Sequence, residues 1–389
     1  MAPAGKLLTR LSHLFVMSTR PETQQAATSY TSHAIDGINA LQQWYDQDTD
    51  GLWSTTGWWN SGNCLQVLAD FAVLNSDEAD NLGLASVMEN TFNLAQQTTS
   101  SSAVTKTFDT NGLVHASFAT SSEKRAKLEP YGFSGFINDY YDDEGWWALA
   151  LIRSYDYTGE QTYLDQAASI FADMQTGGNT PCGGIYWSKV DDYVNAIANE
   201  LYLAVAASLA NRHSDGSYYQ DIASVQWTWL QNSGMINENN TFNDGLDDNC
   251  ENNGLQVWSY NQGVVLGGLV ELSKAAGDSS LLDEAHKIAQ GGMDALTVDG
   301  VLKEISCEPG CGGDGPQFKG IFMRNLRYLH EASPKDIYKD YILNNADSIW
   351  SNNQHATQFG LIWAGPFDEA DAARQSSALD AIVAAVAVA

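Results

Sequence analysis

Apolar residues recur along most of the chain at intervals of three and four residues, the spacing that places side chains on one face of an α-helix. The pattern extends from Tyr30 to the C-terminus and divides into twelve segments. It therefore predicts an all-α protein. The predicted helices cover residues 30–45, 61–75, 79–98, 143–157, 160–175, 192–212, 216–232, 258–275, 279–296, 318–332, 335–351 and 374–388.

The connections between these segments alternate between short turns and long loops. Each long loop carries a glycine followed by apolar residues, beginning at Gly51, Gly112, Gly184, Gly254, Gly300 and Gly360. Such recurrence is typical of a repeated structural unit. We predict six helical hairpins that close into an (α/α)6 barrel, with the long loops and the functional groove at one end. Two helical domains that meet near residues 214–216 are the alternative.

Composition narrows the possible partners. The 389 residues include 48 acidic and 19 basic side chains, a net charge of −29. Nucleic acids and anionic membranes require clustered basic residues, so neither is expected as a partner. No run of 18 apolar residues is present, which argues against a membrane span. We predict a monomer with one domain over residues 28–389, preceded by a poorly ordered segment, 1–27, that resembles a truncated or misassigned start.

The chain has five cysteines, an odd number that leaves at least one free thiol if the others form disulfides. Cys64 lies in an apolar helical pattern and is expected to be a buried free thiol. Cys250, Cys307 and Cys311 lie in polar, glycine-rich stretches and are candidates for disulfides. The sequon at Asn239 favours secretion and glycosylation, although the N-terminus is a poor signal peptide.

No metal or cofactor is predicted. Cys307 and Cys311 form a single pair without a histidine nearby, which argues against zinc. Residues 46–51 resemble the start of a calcium loop, but the twelfth position is Gly57 rather than the bidentate glutamate that such loops need. A polar turn is the favoured interpretation of this stretch.

The strongest candidate for chemistry is the run from Tyr140 to Trp147, in which Asp142 and Asp143 open an apolar helix. Backbone N–H groups at a helix start stabilise a carboxylate. One ionised and one protonated carboxyl group side by side is what glycosidic bond cleavage requires. An N-cap followed by an acidic first turn is the structural alternative.

Further candidates lie in the other long loops and in the helix starts that follow them. Tryptophans cluster there, and indole rings are platforms for sugar rings. The acidic loop around Asp244 and Asp247 leads into residues 258–262, whose amides suit sugar hydroxyls. Lys319, together with Arg324 and Arg327, is expected to compensate the negative charge of the acidic site or to bind substrate. The candidate substrate-binding residues are Trp58, Trp59, Asn60, Trp146, Trp187, Asn195, Asp244, Tyr260, Asn261, Gln262 and Lys319.

The run Asp142-Asp143-Glu144-Gly145-Trp146-Trp147 resembles the signature of glycoside hydrolase family 76, the endo-α-1,6-mannanases. Supporting stretches are residues 57–60, 182–188, 195–203, 260–263 and 318–320. The resemblance spans about residues 34–385. It implies an (α/α)6 barrel and a retaining hydrolase that cleaves internal α-1,6-mannosidic bonds of mannan, with Asp142 as nucleophile and Asp143 as general acid/base. The cysteine-rich loops resemble the fungal branch, which includes secreted mannanases and anchored cell-wall transglycosidases; no anchor signal is evident, which favours the secreted kind.

Three alternatives remain open at this point. The first is a transglycosidase that transfers the mannosyl group to another sugar or to a glycan anchor. The second is a mannan-binding barrel without catalytic activity. The third is another (α/α)6 glycosidase or lyase that uses a distant carboxylate such as Asp244 or Asp247.

Overall fold

The computed structural model describes residues 20–96, 105–108, 114–117 and 133–389, and this part of the chain is predominantly helical. Its α-helices are α1 Arg20–Leu41, α2 Trp58–Leu74, α3 Ser76–Asn81, α4 Leu84–Leu94, α5 Tyr141–Thr158, α6 Gln161–Met174, α7 Ala196–Ala210, α8 Gly216–Asn232, α9 Ser259–Ala276, α10 Ser280–Leu296, α11 Phe318–Ala332, α12 Asp336–Asn352 and α13 Ala372–Val388. Three antiparallel pairs join β1 Thr105–Phe108 to β2 Val114–Ser117, β3 Thr297–Val298 to β4 Val301–Leu302, and β5 Gln354–His355 to β6 Gln358–Phe359.

Six helices form a closed inner ring. Around the ring, α2 packs on α5, α5 on α7, α7 on α9, α9 on α11, α11 on α13, and α13 on α2. The other helices cover this ring from outside: α1 packs on α13, α4 on α2, α6 on α5, α8 on α7, α10 on α9, and α12 on α11 and α13. The predicted (α/α)6 barrel is confirmed. Helices on both sides of residues 214–216 belong to the same closed ring, so the chain does not divide into two helical domains at this position.

Burial distinguishes the two rings. The inner helix α7 is buried along nearly its whole length because neighbours surround it, and its sequence is rich in alanine and leucine. The outer helix α10 buries only one face, formed by residues such as Ala285, Ile288 and Met293. An outer helix contacts the inner ring on one face and solvent on the other, and its sequence therefore shows the amphipathic pattern.

Every inner helix begins at the end of the barrel that carries the long loops. The glycine-plus-apolar repeats lie on the returning strands of short hairpins there: Trp53 pairs with Tyr45, Ile185 with Gly178, and Val301 with Val298. Gly51, Gly184, Gly254 and Gly300 have a positive φ, which favours glycine in the tight reversal, whereas Gly360 follows β6 and has no positive φ. Residues 112 and 113 of the second repeat lie outside the described residues.

The two largest differences between the structure and the predicted segments concern the segment 79–98 and the start of α1. The segment predicted at 79–98 is two helices, α3 and α4, because Gly83 adopts a left-handed conformation between them. Helix α1 begins at Arg20, ten residues before the predicted start and inside the segment 1–27. Residues 1–19 lie outside the described residues. No helix in the described ranges is both long enough and apolar enough to span a bilayer.

A cavity of about 280 Å3 lies on the barrel axis at the end with the short turns. Residues of five inner helices line it, among them Trp146 of α5. Beside it, the carboxylate of Asp70 binds Nε of Arg153 at 2.7 Å, Nη2 of Arg327 at 2.6 Å and the hydroxyl of Tyr328 at 2.7 Å. This cluster joins α2, α5 and α11.

The arginines of α11 have partners inside the barrel. Arg324 binds Asp380 on α13, with Nη1 3.2 Å from Oδ2, and donates to Asn63 of α2 at 2.6 Å. Arg327 binds Asp70. The structure therefore places both guanidinium groups in cross-links between inner helices rather than against Asp142 and Asp143, and it gives them a structural function.

Two disulfides are present in the described residues, Cys182–Cys250 and Cys307–Cys311, while Cys64 is a buried free thiol. The predictions for Cys64, Cys250, Cys307 and Cys311 are confirmed. Burial raises the pKa of the Cys64 thiol above its usual value, which keeps the thiol protonated and unreactive.

We expect the Cys182–Cys250 bridge to stabilise the fold more than the Cys307–Cys311 bridge. The first closes a loop with a sequence separation of 68, and the second one of 4. Loop-closure entropy alone predicts losses of roughly 4 and roughly 2 kcal/mol when each cysteine pair is replaced by serine. Melting temperatures of the two double variants measure the difference. Equal losses of stability in the two variants would contradict an entropic origin of the stabilisation by these disulfides.

Candidate active site

Asp142 and Asp143 lie in the first turn of α5, where the inner ring meets the long loops. Both side chains are largely buried, with 8% and 2% of the residue exposed. The free N–H groups and the dipole of the helix start favour negative charge at this position. A second loop holds the helix start, because the backbone N–H of Tyr141 donates to the carbonyl of Trp187 at 3.0 Å.

Asn138 orients the general acid/base candidate. Its side-chain amide donates to Oδ2 of Asp143 at 2.8 Å, and its side-chain oxygen accepts from the backbone N–H of Tyr140 at 2.8 Å. Its own backbone N–H donates to Glu144 at 3.1 Å. One asparagine thus ties the Asp143 carboxyl to the loop before α5. Sequence reasoning missed Asn138, although it lies only five residues before Asp143.

Glu144, the third acidic residue of this turn, has a different environment. It is fully buried, and its Oε1 lies 2.8 Å from Nζ of Lys189. Lys189 also contacts Asp173 at 2.6 Å. The lysine holds the 187–193 loop against the start of α5. Burial raises the pKa of Glu144 to about 9, and the contact with Lys189 opposes this rise.

A layer of four stacked rings lies at the same end of the barrel. Trp59 stacks on Trp146 with centroids 5.5 Å apart, Trp146 on Tyr260 at 6.4 Å, and Tyr260 on Phe318 at 3.9 Å. The rings come from α2, α5, α9 and α11, so the layer crosses the barrel axis. Nε1 of Trp59 donates to Asp314 at 2.8 Å, which ties the layer to the loop before α11. The structure brings together Trp59, Trp146 and Tyr260 of the predicted binding residues.

Two other predicted tryptophans pack away from this layer. Trp58 contacts Phe133 and Trp147, with centroids at 4.7 and 5.4 Å. Trp187 packs on Tyr140 at 5.0 Å. Both indoles are almost completely buried. They therefore support the loops that surround Asp142, and contact with substrate remains a prediction for them.

Asp244 is buried near the start of α7. Its carboxylate accepts hydrogen bonds from the hydroxyl of Tyr193 and, at 3.2 Å, from Nε1 of Trp258. Burial raises the pKa of Asp244, while these two hydrogen bonds oppose the rise. By contrast, Asp247 is exposed and accepts backbone N–H groups of its own turn. These contacts give Asp244 a loop-binding function and Asp247 a turn-forming one.

Three predicted polar residues make structural contacts. Asn195 caps α7 by accepting the N–H of Ala198 at 3.2 Å. Gln262 binds both backbone groups of Phe242, at 2.8 and 3.0 Å. Lys319 is fully buried, pairs with Glu308 and donates to the carbonyl of Leu361 at 2.7 Å. Their contacts fix long loops to inner helices, and a direct substrate contact for each stays a prediction.

Asn60 and Asn261 are the remaining predicted amides. Both are fully buried, and neither amide has a hydrogen-bond partner among the described residues. Sequence reasoning missed Lys189 and Glu200 as well as Asn138. A glutamate within the apolar run of α7 was a visible signal for Glu200. Lys189 carried no such signal, because its partner Glu144 is 45 residues away.

The family model described as "Glycosyl hydrolase family 76" matches residues 22–389. The "Mannan endo-1,6-alpha-mannosidase DFG5" of Candida albicans is 26% identical over 273 residues, which cover 63% of this chain and 60% of that protein. The chain thus spans about three fifths of the length of this curated relative.

Solved structures show the same architecture. An inactive variant of the α-1,6-mannanase GH76A of Salegentibacter sp. HEL1_6, with two consecutive aspartates changed to asparagine, was solved with α-1,6-mannotriose. It is 20% identical with a TM-score of 0.72 and covers 92% of this chain and 100% of its own. Dfg5 from Chaetomium thermophilum, solved with glucosamine, is 18% identical with a TM-score of 0.73, covering 94% and 90%. At these identities the likeness establishes the fold alone.

Proposed function

Because this chain belongs to glycosyl hydrolase family 76, we propose that it is a retaining endo-α-1,6-mannanase with Asp142 as nucleophile and Asp143 as general acid/base. The observation that carries the proposal is the position of the two carboxyl groups. They are adjacent, largely buried and placed in the first turn of an inner helix, at the end of the barrel where the long loops meet.

The proposed reaction has two steps. Asp142 attacks the anomeric carbon of a mannosyl residue and forms a covalent mannosyl-enzyme, while Asp143 gives its proton to the departing O6. Asp143 then removes a proton from water, whose oxygen replaces Asp142 at the anomeric carbon. Asn138 supports this exchange because it fixes the Asp143 carboxyl through Oδ2. The net result is hydrolysis with retention of the α-configuration.

The proposal extends to the substrate and to the location of the protein. We propose α-1,6-linked mannan as substrate, in line with the names of the C. albicans and Salegentibacter relatives. The ring layer and the amides at the inner helix starts would supply the subsites. Two disulfides and an exposed sequon at Asn239 favour an extracellular enzyme, and a monomer is our expectation.

A time course of unbranched α-1,6-mannohexaose with the wild-type protein, followed by proton NMR, tests the proposal. We expect new α-anomeric reducing ends to appear before mutarotation, together with products of intermediate length. Early β-anomers would overturn the retaining mechanism. Release of mannose alone would overturn the endo mode, and binding without any turnover would favour a non-catalytic mannan-binding barrel.

Transglycosylation is the second candidate. The Chaetomium relative was solved with glucosamine, an amino sugar, and this favours an acceptor that contains one. In the second step, an acceptor hydroxyl would then replace water and lose its proton to Asp143. The same NMR assay with an excess of a glucosamine-containing acceptor should yield an elongated adduct if transfer dominates. Unchanged hydrolysis products would exclude transfer to this acceptor.

A further inference from the structure

Glu200, in the second turn of α7, is a carboxyl group in the interior of the barrel that lacks a partner. The residue is fully buried, and neither carboxyl oxygen has a hydrogen-bond partner among the described residues. Burial, and then the negative charge of Asp244, raise the pKa of Glu200 well above its usual value. Both effects favour the neutral acid, and a protonated carboxyl group can donate one hydrogen bond. An unsatisfied buried group costs free energy and calls for an explanation.

Glu200 faces the barrel axis. Ala204 and Arg212 of α7 line the axial cavity, and Glu200 lies one turn before Ala204 on the same face. On α5, Asp142 similarly lies one turn before the cavity-lining Trp146. Asp142 is the second residue of its helix and Glu200 the fifth, so Glu200 lies three residues, or about 4.5 Å of helix rise, further from the start of its helix. Because side chains lean toward the N-terminus of their helix, the Glu200 side chain leans toward the end of the barrel that carries Asp142.

Tyr260 is close to both carboxyl groups. Its ring is held by stacking on Phe318 within the ring layer. Burial, and then the negative charges of Asp244, Asp142 and Glu200, raise the pKa of Tyr260 well above its usual value. The geometry agrees with these electrostatic interactions, because Tyr260 stacks on Trp146, one turn after Asp142, and α7, which carries Glu200, packs between α5 and α9. The raised pKa keeps the phenol protonated, so its O–H is available for donation.

The other buried carboxyl groups around the site differ from Glu200. Asp143 accepts from Asn138, Asp244 accepts from Tyr193, and Glu144 contacts Lys189. Each of these contacts stabilises a negative charge or fixes a loop. Glu200 has neither kind of contact, and a leucine would fill its position without the cost of burying a carboxyl group. Its value to the protein must lie in the proton that it carries.

We propose that Glu200 is a positioning residue that acts on Asp142 through Tyr260. When substrate fills the site, the Glu200 O–H donates to the phenol oxygen of Tyr260, and Tyr260 donates its own O–H to a carboxylate oxygen of Asp142. Both protons stay on their own groups. The relay stabilises Asp142 as an anion before its attack and again when the mannosyl-enzyme is hydrolysed. The inference rests on the proposed function of the Asp142–Asp143 pair.

Three single variants and one double variant test the relay in the mannan assay. Glu200→Leu removes the donor and Tyr260→Phe removes the hydroxyl, and each should lower kcat/KM by about 10- to 100-fold, the value of one hydrogen bond to a charged group. Glu200→Gln retains an N–H donor and should recover most of the loss. The double variant Glu200→Leu/Tyr260→Phe should lose no more than either single variant, because both interrupt the same relay.

The pH profile separates this relay from a packing effect. The acid limb of kcat/KM reports loss of charge on the nucleophile. It should move to higher pH in Glu200→Leu and Tyr260→Phe and stay in place in Glu200→Gln. If Glu200→Leu fails to fold, Tyr260→Phe and Glu200→Gln still decide the matter through this limb.

Several outcomes would overturn the inference. Equal activity of the leucine and glutamine variants would show that Glu200 only fills space. Loss of activity in Glu200→Gln as severe as in Glu200→Leu would show that an ionisable group is needed. Additive losses in the double variant would show that Tyr260 acts independently. If the wild-type protein itself leaves mannan intact, the proposed function fails first and the relay fails with it.

Discussion

Replacement of Asp142 or Asp143 by asparagine should abolish most mannanase activity while the barrel stays folded. Each change removes one charge or one transferable proton from the first turn of α5 and leaves the shape of the side chain intact. A general acid/base contributes about 10²–10⁴-fold to the rate, and loss of a nucleophile costs at least as much. Initial rates on α-1,6-mannan, together with circular dichroism, measure both parts of this expectation.

The two aspartates should respond differently to an activated substrate. An aryl α-mannoside with a good leaving group needs no protonation, so Asp143→Asn should form the mannosyl-enzyme from it and then hydrolyse it slowly. Asp142→Asn should not form the intermediate at all. Asp139→Asn is the matched control, because Asp139 lies in the loop just before α5 with an exposed side chain, and this variant should retain full activity. Normal activity of either variant of the pair would refute the assignment.

Replacement of Asp70 by asparagine should destabilise the fold by about 3–5 kcal/mol, the cost of leaving buried guanidinium groups without their counter-charge. Asp70 and Arg327 are both 1% exposed, and Arg153 is 18% exposed. Since these residues belong to α2, α11 and α5, the change should loosen three inner helices together. The midpoint of urea unfolding measures the loss. Glu284→Gln, in an exposed pair with Lys287, is the matched control and should change little.

The effect of Asp70 should depend on pH. Burial alone would raise its pKa, but the charges of Arg327 and Arg153 outweigh burial and lower the pKa to about 2. A carboxylate with a lowered folded pKa stabilises the protein above its unfolded pKa, and this contribution is lost as the pH falls through the folded pKa. The difference in the free energy of unfolding between the wild type and Asp70→Asn should therefore be complete at pH 6 and should decrease between about pH 4 and pH 2. A difference that does not change with pH would contradict a charge-based contribution.

Helical periodicity predicted the barrel because the outer helices must be amphipathic and the inner ones apolar, a requirement that acts within each segment. The alternation of short turns and long loops then indicated six helical hairpins, which can close into one ring. The split between α3 and α4 was missed, since one left-handed glycine at position 83 interrupts a pattern that is otherwise continuous. The Asp142–Asp143 pair was visible because its members are neighbours in the chain.

The functions of the predicted binding residues depended on contacts that no local pattern contains. The sequence placed Trp58, Trp59 and Trp187 in one class, whereas the structure separates the ring layer from the tryptophans that support loops. Lys319 was expected at the site, and burial against Glu308 gives it a different environment.

The sequence by itself determined the helical character of the chain, its division into repeated units and the adjacent carboxyl groups at the start of α5, since each depends on residues a few positions apart. Only the tertiary structure decided which groups meet across the barrel. Asp70 and Arg327 are 257 residues apart, and Trp59 and Asp314 are 255 apart. Closure of the ring brings such residues together, and the neighbours of a buried carboxyl group then set the direction of its pKa shift. The guanidinium groups beside Asp70 lower its pKa, whereas burial and the charge of Asp244 raise the pKa of Glu200.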